Sequence, residues 1–260
     1  MKKISLLFAG LFLLQQLCWS QTRKDGREFY QLTIYHYTKD DQEKKLDAYL
    51  ENALLPALHR MKIKQVGVFK AISNDTSTAK SLYVLLPLSS LDMIGKIETG
   101  LQADKDYQAK GSEYINAVYT DPFFTRMETI LAKAFPWAPQ LQLPQLKAAK
   151  KDRVYELRSY ESASEKIFKN KVQMFNEGGE IALFKRLGFN AIFYSEVIAG
   201  SKMPNLMYMT SFENMADRDA HWKSFSNDAE WKKISSMPEY QHNVSHIDII
   251  FLRPAEYSDL

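Results

Sequence analysis

The 260-residue sequence contains a single cysteine, ten glycines and nine prolines, and its 34 basic side chains nearly balance 31 acidic ones. One thiol can form neither an intrachain disulfide nor a zinc site built from several cysteines. The low glycine and proline content, together with 45% hydrophobic residues, excludes a collagen-like or long disordered chain. A formal charge of +3 gives no basic footprint for nucleic acid. The composition therefore predicts a globular protein of one or two domains that does not bind nucleic acid.

The N-terminus has the pattern of a bacterial-type secretory signal peptide. Two lysines precede a short apolar run, and small residues occupy the positions three and one before Gln21. The run is shorter than the ~20 residues that a membrane-spanning helix needs. We therefore expect residues 1–20 to be removed after Ser20, and the remaining chain to be exported to the periplasm or the extracellular space without a transmembrane segment. Lipidation at Cys18 stays an alternative, although the residues before it are not the small ones that such a signal normally has.

Loss of this segment would change the charge and the chemistry of the chain. It contains two lysines and the only cysteine, so the remaining protein would carry a net charge of +1 and no thiol. A cysteine nucleophile, a thiolate metal site and a disulfide are then excluded, and core packing alone must stabilise the fold.

The rest of the sequence contains a tandem repeat. The segment FYQLTIYHY at 29–37 resembles VYELRSYES at 154–162, and both alternate in the way that suits a strand with one buried face. In each half there follow a helical pattern, two strand patterns, a second helical pattern and a final strand pattern. We therefore expect a ferredoxin-like βαββαβ repeat at 21–135, a linker at 136–150 and a second repeat at 151–260.

A βαββαβ unit covers only one face of its sheet with helices, so its bare face must be buried against something. The two sheets of one chain can bury these faces against each other. This predicts an α+β fold in which tandem ferredoxin-like repeats pack as a dimeric α+β barrel, and a cleft between the sheets would be the default ligand site.

The second half resembles the NIPSNAP family over about residues 154–254. It opens on VYELRSY, and its helical region contains the pattern R-x-x-x-W-x-x-F-x-x-D-x-x-W, matched here by Arg218, Trp222, Phe225, Asp228 and Trp231. The first half is more divergent and has Tyr107 in place of the last tryptophan. The resemblance implies a dimeric α+β barrel, but no catalytic set that could be transferred. Known members are discussed mainly in mitochondrial and vesicular settings, from which an exported chain departs.

We interpret the residues of this family motif as structural. Asp228 is placed to cap the short helix that follows it, and Trp231 is placed to anchor that helix. The same interpretation applies to the whole set of Tyr155, Arg218, Trp222, Asp228 and Trp231.

Four other residues are candidates for ligand binding: Arg158, Tyr160, Tyr194 and His221. If Arg158 points between the sheets, it is a fixed cation for an anionic ligand; if it points outward, it pairs with a helix carboxylate. Strand tyrosines suit a hydrophobic or planar ligand, and equally an ordinary core. His221 lies four residues after Asp217, so the pair could orient a general base or bind a metal, or could lie on a solvated helix face.

The remaining histidines give little support for a metal site. His242 and His246 are four residues apart, but in a region that enters a strand, and no third ligand is evident. His36 and His59 are isolated. We therefore expect no metal and no cofactor, and the sequence has no glycine-rich dinucleotide loop, Walker loop or G-x-S-x-G elbow.

Two functional hypotheses follow. The first is an exported, non-catalytic NIPSNAP-domain protein that binds a small hydrophobic or anionic ligand, or a partner, in the barrel cleft, with homo-oligomerisation left open. The second is a cofactor-independent oxygenase or a haem-handling enzyme, which rests on analogy with other α+β barrels. We favour the first, because only Arg158 and one histidine qualify for a reactive cluster.

Overall fold

A computed structural model describes residues 26–260 of the chain. The expected signal peptide, with Cys18 and the cleavage point at Ser20, lies outside the described residues. Within residues 26–260, no helix is long and apolar enough to cross a membrane.

The alternating segments of both halves form strands, and residues 26–260 contain eight of them. Their bounds are β1 (Phe29–Tyr37), β2 (Gly67–Ala71), β3 (Lys80–Leu88), β4 (Arg126–Ala134), β5 (Val154–Glu161), β6 (Asn190–Ala199), β7 (Asn205–Phe212) and β8 (His246–Pro254).

The segments with helical periodicity form the α-helices of the same region. These are α1 (Asp40–Tyr49), α2 (Leu55–Arg60), α3 (Met93–Ala103), α4 (Lys105–Lys110), α5 (Ser112–Ile115), α6 (Glu165–Asn176), α7 (Glu180–Arg186), α8 (Met215–Asn227) and α9 (Ala229–Ser236). A π-helical turn, Leu50–Leu54, joins α1 to α2. Pro56 follows this turn in the first turn of α2, where its missing N–H costs little.

The eight strands close into one barrel in the order β1-β3-β2-β8-β5-β7-β6-β4. Every neighbouring pair is antiparallel. Each half contributes a four-stranded sheet, and the two sheets join at the β2–β8 and β4–β6 seams, where Phe69 is opposite Pro254 and Ala132 is opposite Val197. The predicted α+β barrel of tandem ferredoxin-like repeats is therefore confirmed.

Three apolar cores stabilise this arrangement. Side chains from alternate strand positions fill the barrel, among them Tyr30, Leu32, Tyr155, Leu157 and Leu252. The other two cores lie between the outer faces of the sheets and the helices of each half. Each large apolar side chain buried in this way contributes about 1.5–3 kcal/mol to stability.

The segment at 136–150, expected to be a linker, contains no α-helix or strand, and its last residue begins the short 3₁₀ turn Lys150–Asp152; it is nevertheless not a free tether. The buried Leu141 belongs to the same core as the barrel-lining side chains, and its backbone N–H donates to the carboxylate of Glu28 at 2.7 Å. The backbone N–H of Gln142 donates to the carbonyl of Ile192 at 2.9 Å. This segment therefore packs against the barrel between the two halves.

Candidate functional site

The pleat of β5 decides where Arg158 points. Tyr155 and Leu157 belong to the core inside the barrel, so the alternating residues Glu156, Arg158 and Tyr160 face the helices. Arg158 is thus not a cation between the two sheets. Of the two orientations considered from the sequence, the structure shows the outward one, and the carboxylate that Arg158 meets is on its own strand.

Glu156 is fully buried and binds three groups of the motif region. Its carboxylate accepts bonds from Arg158 Nε at 2.7 Å, from Arg218 Nε at 2.8 Å and Nη2 at 2.9 Å, and from the indole N–H of Trp222 at 2.7 Å. Arg218 and Trp222 are four residues apart on α8 and therefore lie on one helix face. Burial alone would raise the pKa of Glu156, but the hydrogen bonds and charges of the two arginines outweigh it and lower that pKa.

Two guanidinium groups therefore share one buried carboxylate. Asp219 also binds Arg218, at 2.9 Å, but its side chain is 63% exposed and its charge is screened by solvent.

Arg158 is only 9% exposed. Its Nη1 donates to the hydroxyl of Tyr160 at 3.1 Å, and its Nη2 lies 2.6 Å from Glu156. Two of its five N–H groups have no hydrogen-bond partner among the described residues.

Arg158, Tyr160 and Arg218 line a cavity of about 480 Å³ between β5, α6, α8 and α9. We call this cavity the helix–sheet cleft. Its aromatic lining comes from Tyr160, Trp222, Phe225 and Trp231. The Arg158 guanidinium carbon lies 3.6 Å from the ring centroid of Trp222, a cation–π contact.

The cleft also contains a buried ion pair. Lys171 on α6 binds Glu180 on α7 at 2.9 Å, and the two residues are 5% and 2% exposed. Lys171 also lies 4.7 Å from the ring centroid of Phe175. The helix–sheet cleft therefore presents the cations Arg158, Arg218 and Lys171, while Glu180 is the carboxylate in its lining.

Two other motif residues, Asp228 and Trp231, make local contacts at α9. The Asp228 carboxylate accepts the backbone N–H groups of Glu230 and Trp231, which caps α9. Trp231 packs on Phe225 with ring centroids 4.4 Å apart. In the first half, Asp104 caps α4 by accepting the N–H of Tyr107 at 3.0 Å.

The four ligand-binding candidates do not share one cavity. Arg158 and Tyr160 line the helix–sheet cleft. Tyr194 lies in the adjacent core, stacked on Tyr208 at 5.6 Å, and burial raises the pKa of its hydroxyl. His221 lies outside the cleft lining, against Phe189 and Phe212.

The Asp217–His221 pair does form. His221 Nδ1 lies 2.8 Å from the Asp217 carbonyl oxygen and 3.2 Å from its carboxylate. No further carboxylate, histidine or cysteine joins it as a potential metal cluster within residues 26–260. His242 occupies a turn at φ 58°, whereas His246 starts β8 and contacts Asp248 at 3.2 Å.

The isolated histidines are each bound to a carboxylate. His36 contacts Glu128 at 2.7 Å, and His59 contacts Asp259 at 2.8 Å.

Sequence reasoning missed Glu156, Lys171 and Glu180. A signal for Lys171 was present, because it occupies the apolar stripe of α6, three residues after Phe168 and four before Phe175. Glu156 could have been found from its position two residues before Arg158 on the same strand face. Neither pattern says which helix supplies the partner.

A family model described as NIPSNAP matches residues 155–259. The chain therefore contains a NIPSNAP domain over these residues. The matched NIPSNAP domain contains β6 to β8, all of β5 except Val154, and the residues that line the helix–sheet cleft. No curated protein matches the sequence.

Some solved structures are similar to this protein. A candidate monooxygenase from Lactobacillus acidophilus NCFM has a TM-score of 0.58 and 11% identity, over 88% of this chain and 94% of that one. A candidate monooxygenase from Fusobacterium nucleatum subsp. nucleatum ATCC 25586 has a TM-score of 0.57 and 7% identity, over 88% and 92%. A NIPSNAP family protein from Agrobacterium tumefaciens str. C58 has a TM-score of 0.37 and 20% identity, over 42% and 98%. At such identities the likeness to the two candidate monooxygenases shows the fold alone.

Proposed function

We propose that this protein binds a small organic anion with a planar apolar body, and that it does so in the helix–sheet cleft. The observation that carries the proposal is the sharing of the buried Glu156 carboxylate by two guanidinium groups. A cation that is buried without a full counter-charge costs stability, and an anionic ligand offsets that cost.

The size and the walls of the cleft agree with such a ligand. Its volume of about 480 Å³ falls within the range of small-molecule sites. The planar guanidinium of Arg158 can form two parallel hydrogen bonds to a carboxylate. Trp222, Phe225 and Trp231 offer ring faces and edges for a planar body.

We further propose that the protein acts outside the cytoplasm. Support for this comes from the signal-peptide pattern of residues 1–20. Expression of the full chain in a Gram-negative host, followed by fractionation and intact mass spectrometry, should find a processed protein that begins at Gln21. A full-length cytoplasmic protein would contradict this part of the proposal.

The ligand proposal is tested with 2-naphthoate and its neutral analogue 2-naphthalenemethanol. We expect the carboxylate to bind at least ten-fold more tightly by calorimetry, and to quench tryptophan fluorescence because Trp222 and Trp231 line the cleft. The Arg158→Gln variant should lose this preference while remaining folded, because Arg218 still balances Glu156.

A matched control is Arg60→Gln. Arg60 is an exposed arginine that binds Asp104 in the first half of the chain, so its loss should leave naphthoate binding unchanged. Equal affinity for the acid and the alcohol, or equal loss of affinity in both variants, would refute the proposal.

The alternative is a cofactor-independent oxygenase or a haem-handling enzyme. It is supported by the barrel fold that the chain shares with candidate monooxygenases, which is a likeness of fold alone. Among the described residues, no histidine lines the helix–sheet cleft, so a haem there would have no imidazole ligand to hold it. Oxygen uptake with 1-naphthol, or a haem absorption band in the purified protein, would favour this alternative.

A further inference from the structure

A second cavity opens at one end of the barrel, on the face of β5 opposite to the helix–sheet cleft. Its volume is about 240 Å³, and we call it the barrel-mouth pocket. Its apolar lining consists of Ile34, Ile130, Leu157, Val197, Met207 and Ile250. These side chains come from both halves of the chain, so the pocket exists only because the two sheets close into one barrel.

Asn205 places an unsatisfied acceptor in this pocket. The residue is 2% exposed and lies at the start of β7. Its Nδ2 donates to the hydroxyl oxygen of Ser159 at 2.9 Å, and both residues line the pocket. Its Oδ1 is buried and has no hydrogen-bond partner. A buried carbonyl oxygen without a donor is unfavourable, so a ligand that brings an N–H group gains a bond that the folded chain lacks.

The rim of the pocket carries more negative than positive charge. Glu128, Asp248 and Lys202 line it, together with His36. Glu161 lies beside Asp248, with carboxylate oxygens less than 4.8 Å apart and His246 in the same cluster.

A single lysine stands among these three carboxylates. Lys202 binds Asp248, and the charges of Glu161 and Glu128 add to that bond in raising the pKa of Lys202. Arg126 also binds Glu128, at 3.3 Å, but its side chain is 66% exposed. The rim therefore has an excess of negative charge next to an unsatisfied buried acceptor.

We propose that the barrel-mouth pocket is a second binding site, which takes a small primary amine with an apolar body. The ammonium lies among Glu161, Asp248 and Asn205 Oδ1, and the body covers the apolar lining. The ion pair of Lys202 with Asp248 shows that an ammonium group fits at this carboxylate.

A divalent cation is a poorer occupant than an amine. Glu161, His246 and Asp248 could supply three ligand atoms, but all three lie at the rim and none reaches the apolar lining of the pocket. A metal ion would also leave the apolar lining and the Asn205 acceptor without a partner.

The probes are cyclohexylmethylamine and cyclohexylmethanol, which have the same shape and differ in charge. Calorimetry at neutral pH should show the amine binding at least ten-fold more tightly than the alcohol. Asn205→Leu and Asp248→Asn should each weaken amine binding about five-fold or more, and Val197→Phe should abolish binding of both probes by filling the cavity. Glu98→Gln, on the exposed part of α3, should leave amine binding unchanged.

Circular dichroism identifies any variant that does not fold. Because the Asp248 side chain is partly exposed, we expect Asp248→Asn to fold and to remain informative. Equal affinity for the amine and the alcohol overturns the proposal, as does amine binding that neither Asn205→Leu nor Asp248→Asn weakens. Binding of Zn²⁺ that depends on Asp248, without any amine binding, also overturns it.

Discussion

Trp222 contacts both Arg158 and the counter-ion of Arg158. Its ring centroid lies 3.6 Å from the guanidinium carbon, while its indole N–H donates to Glu156 at 2.7 Å. One side chain from α8 thus positions a cation and a carboxylate of β5 at the same time. The helix and the strand are thereby joined at the point where the helix–sheet cleft is built.

Replacement of Trp222 by Phe keeps an aromatic ring near Arg158 but removes the indole N–H. Because a hydrogen bond to a charged group contributes about 1.5–3 kcal/mol, we expect a loss of that size in the free energy of unfolding. Urea denaturation followed by circular dichroism measures it. Trp137→Phe is the control, since Trp137 is 55% exposed, and a loss as large in that variant would contradict the assignment.

Replacement of Glu156 by Gln removes the carboxylate between two guanidinium groups. Breaking a buried ion pair from one side costs about 3–5 kcal/mol, so this should be among the most destabilising single changes in the second half. The double variant Glu156→Gln/Arg158→Gln should be more stable than Glu156→Gln alone, because one cation leaves with the carboxylate. An additive double variant would show that the two groups act independently.

The fold was predictable from the sequence because its signals are local and occur twice. The alternation at 29–37 and 154–162 identified two equivalent strands. In each βαββαβ unit the helices cover one face of the sheet, so the other face must be buried against something. The Asp228 cap was also predictable, since capping involves residues close in sequence.

Which residues form the site was harder to predict from the sequence. Arg158 and Tyr160 were identified as candidates, but their meeting with Arg218 and Trp222 depends on how α8 crosses β5, which no local pattern encodes. The role of Asn205 was equally impossible to predict from local sequence patterns. Nothing in the sequence around it indicates that one amide oxygen at the start of β7 is left unsatisfied inside a closed barrel.

The helix caps offer a comparison between the two halves. Asp104 caps α4 and binds Arg60, and Asp228 caps α9 and binds Arg186. Asp→Ala at either position should lower the melting temperature, and Asp→Asn should lower it less, because Asn still accepts the backbone N–H groups but loses the ion pair. Differential scanning calorimetry of the four variants tests this, and equal effects of Ala and Asn would show that capping contributes nothing.

Stability should fall in acid because of Glu156. Its pKa in the folded state is lower than the 4.5 of the unfolded chain, since the bonds and charges of Arg218 and Arg158 outweigh the opposing effect of burial. The ionised form therefore contributes its full stabilisation above about pH 4.5, and this is lost as the pH falls through the folded-state pKa. Urea midpoints between pH 7 and pH 3 should decline less steeply in Glu156→Gln. Parallel declines in the two proteins would contradict the assignment.

The buried pair of Lys171 and Glu180 should behave differently when broken and when replaced. Lys171→Met leaves the Glu180 carboxylate buried without its cation, and Glu180→Gln leaves the ammonium without its anion, so each should cost about 3–5 kcal/mol. The double variant Lys171→Met/Glu180→Gln removes both charges from a site lined by Phe175 and Trp231, and should recover most of that loss. A double-mutant cycle on urea midpoints gives the coupling energy. If the double variant is as unstable as the sum of the single ones, the two charges act independently, and the prediction of a coupled pair is wrong.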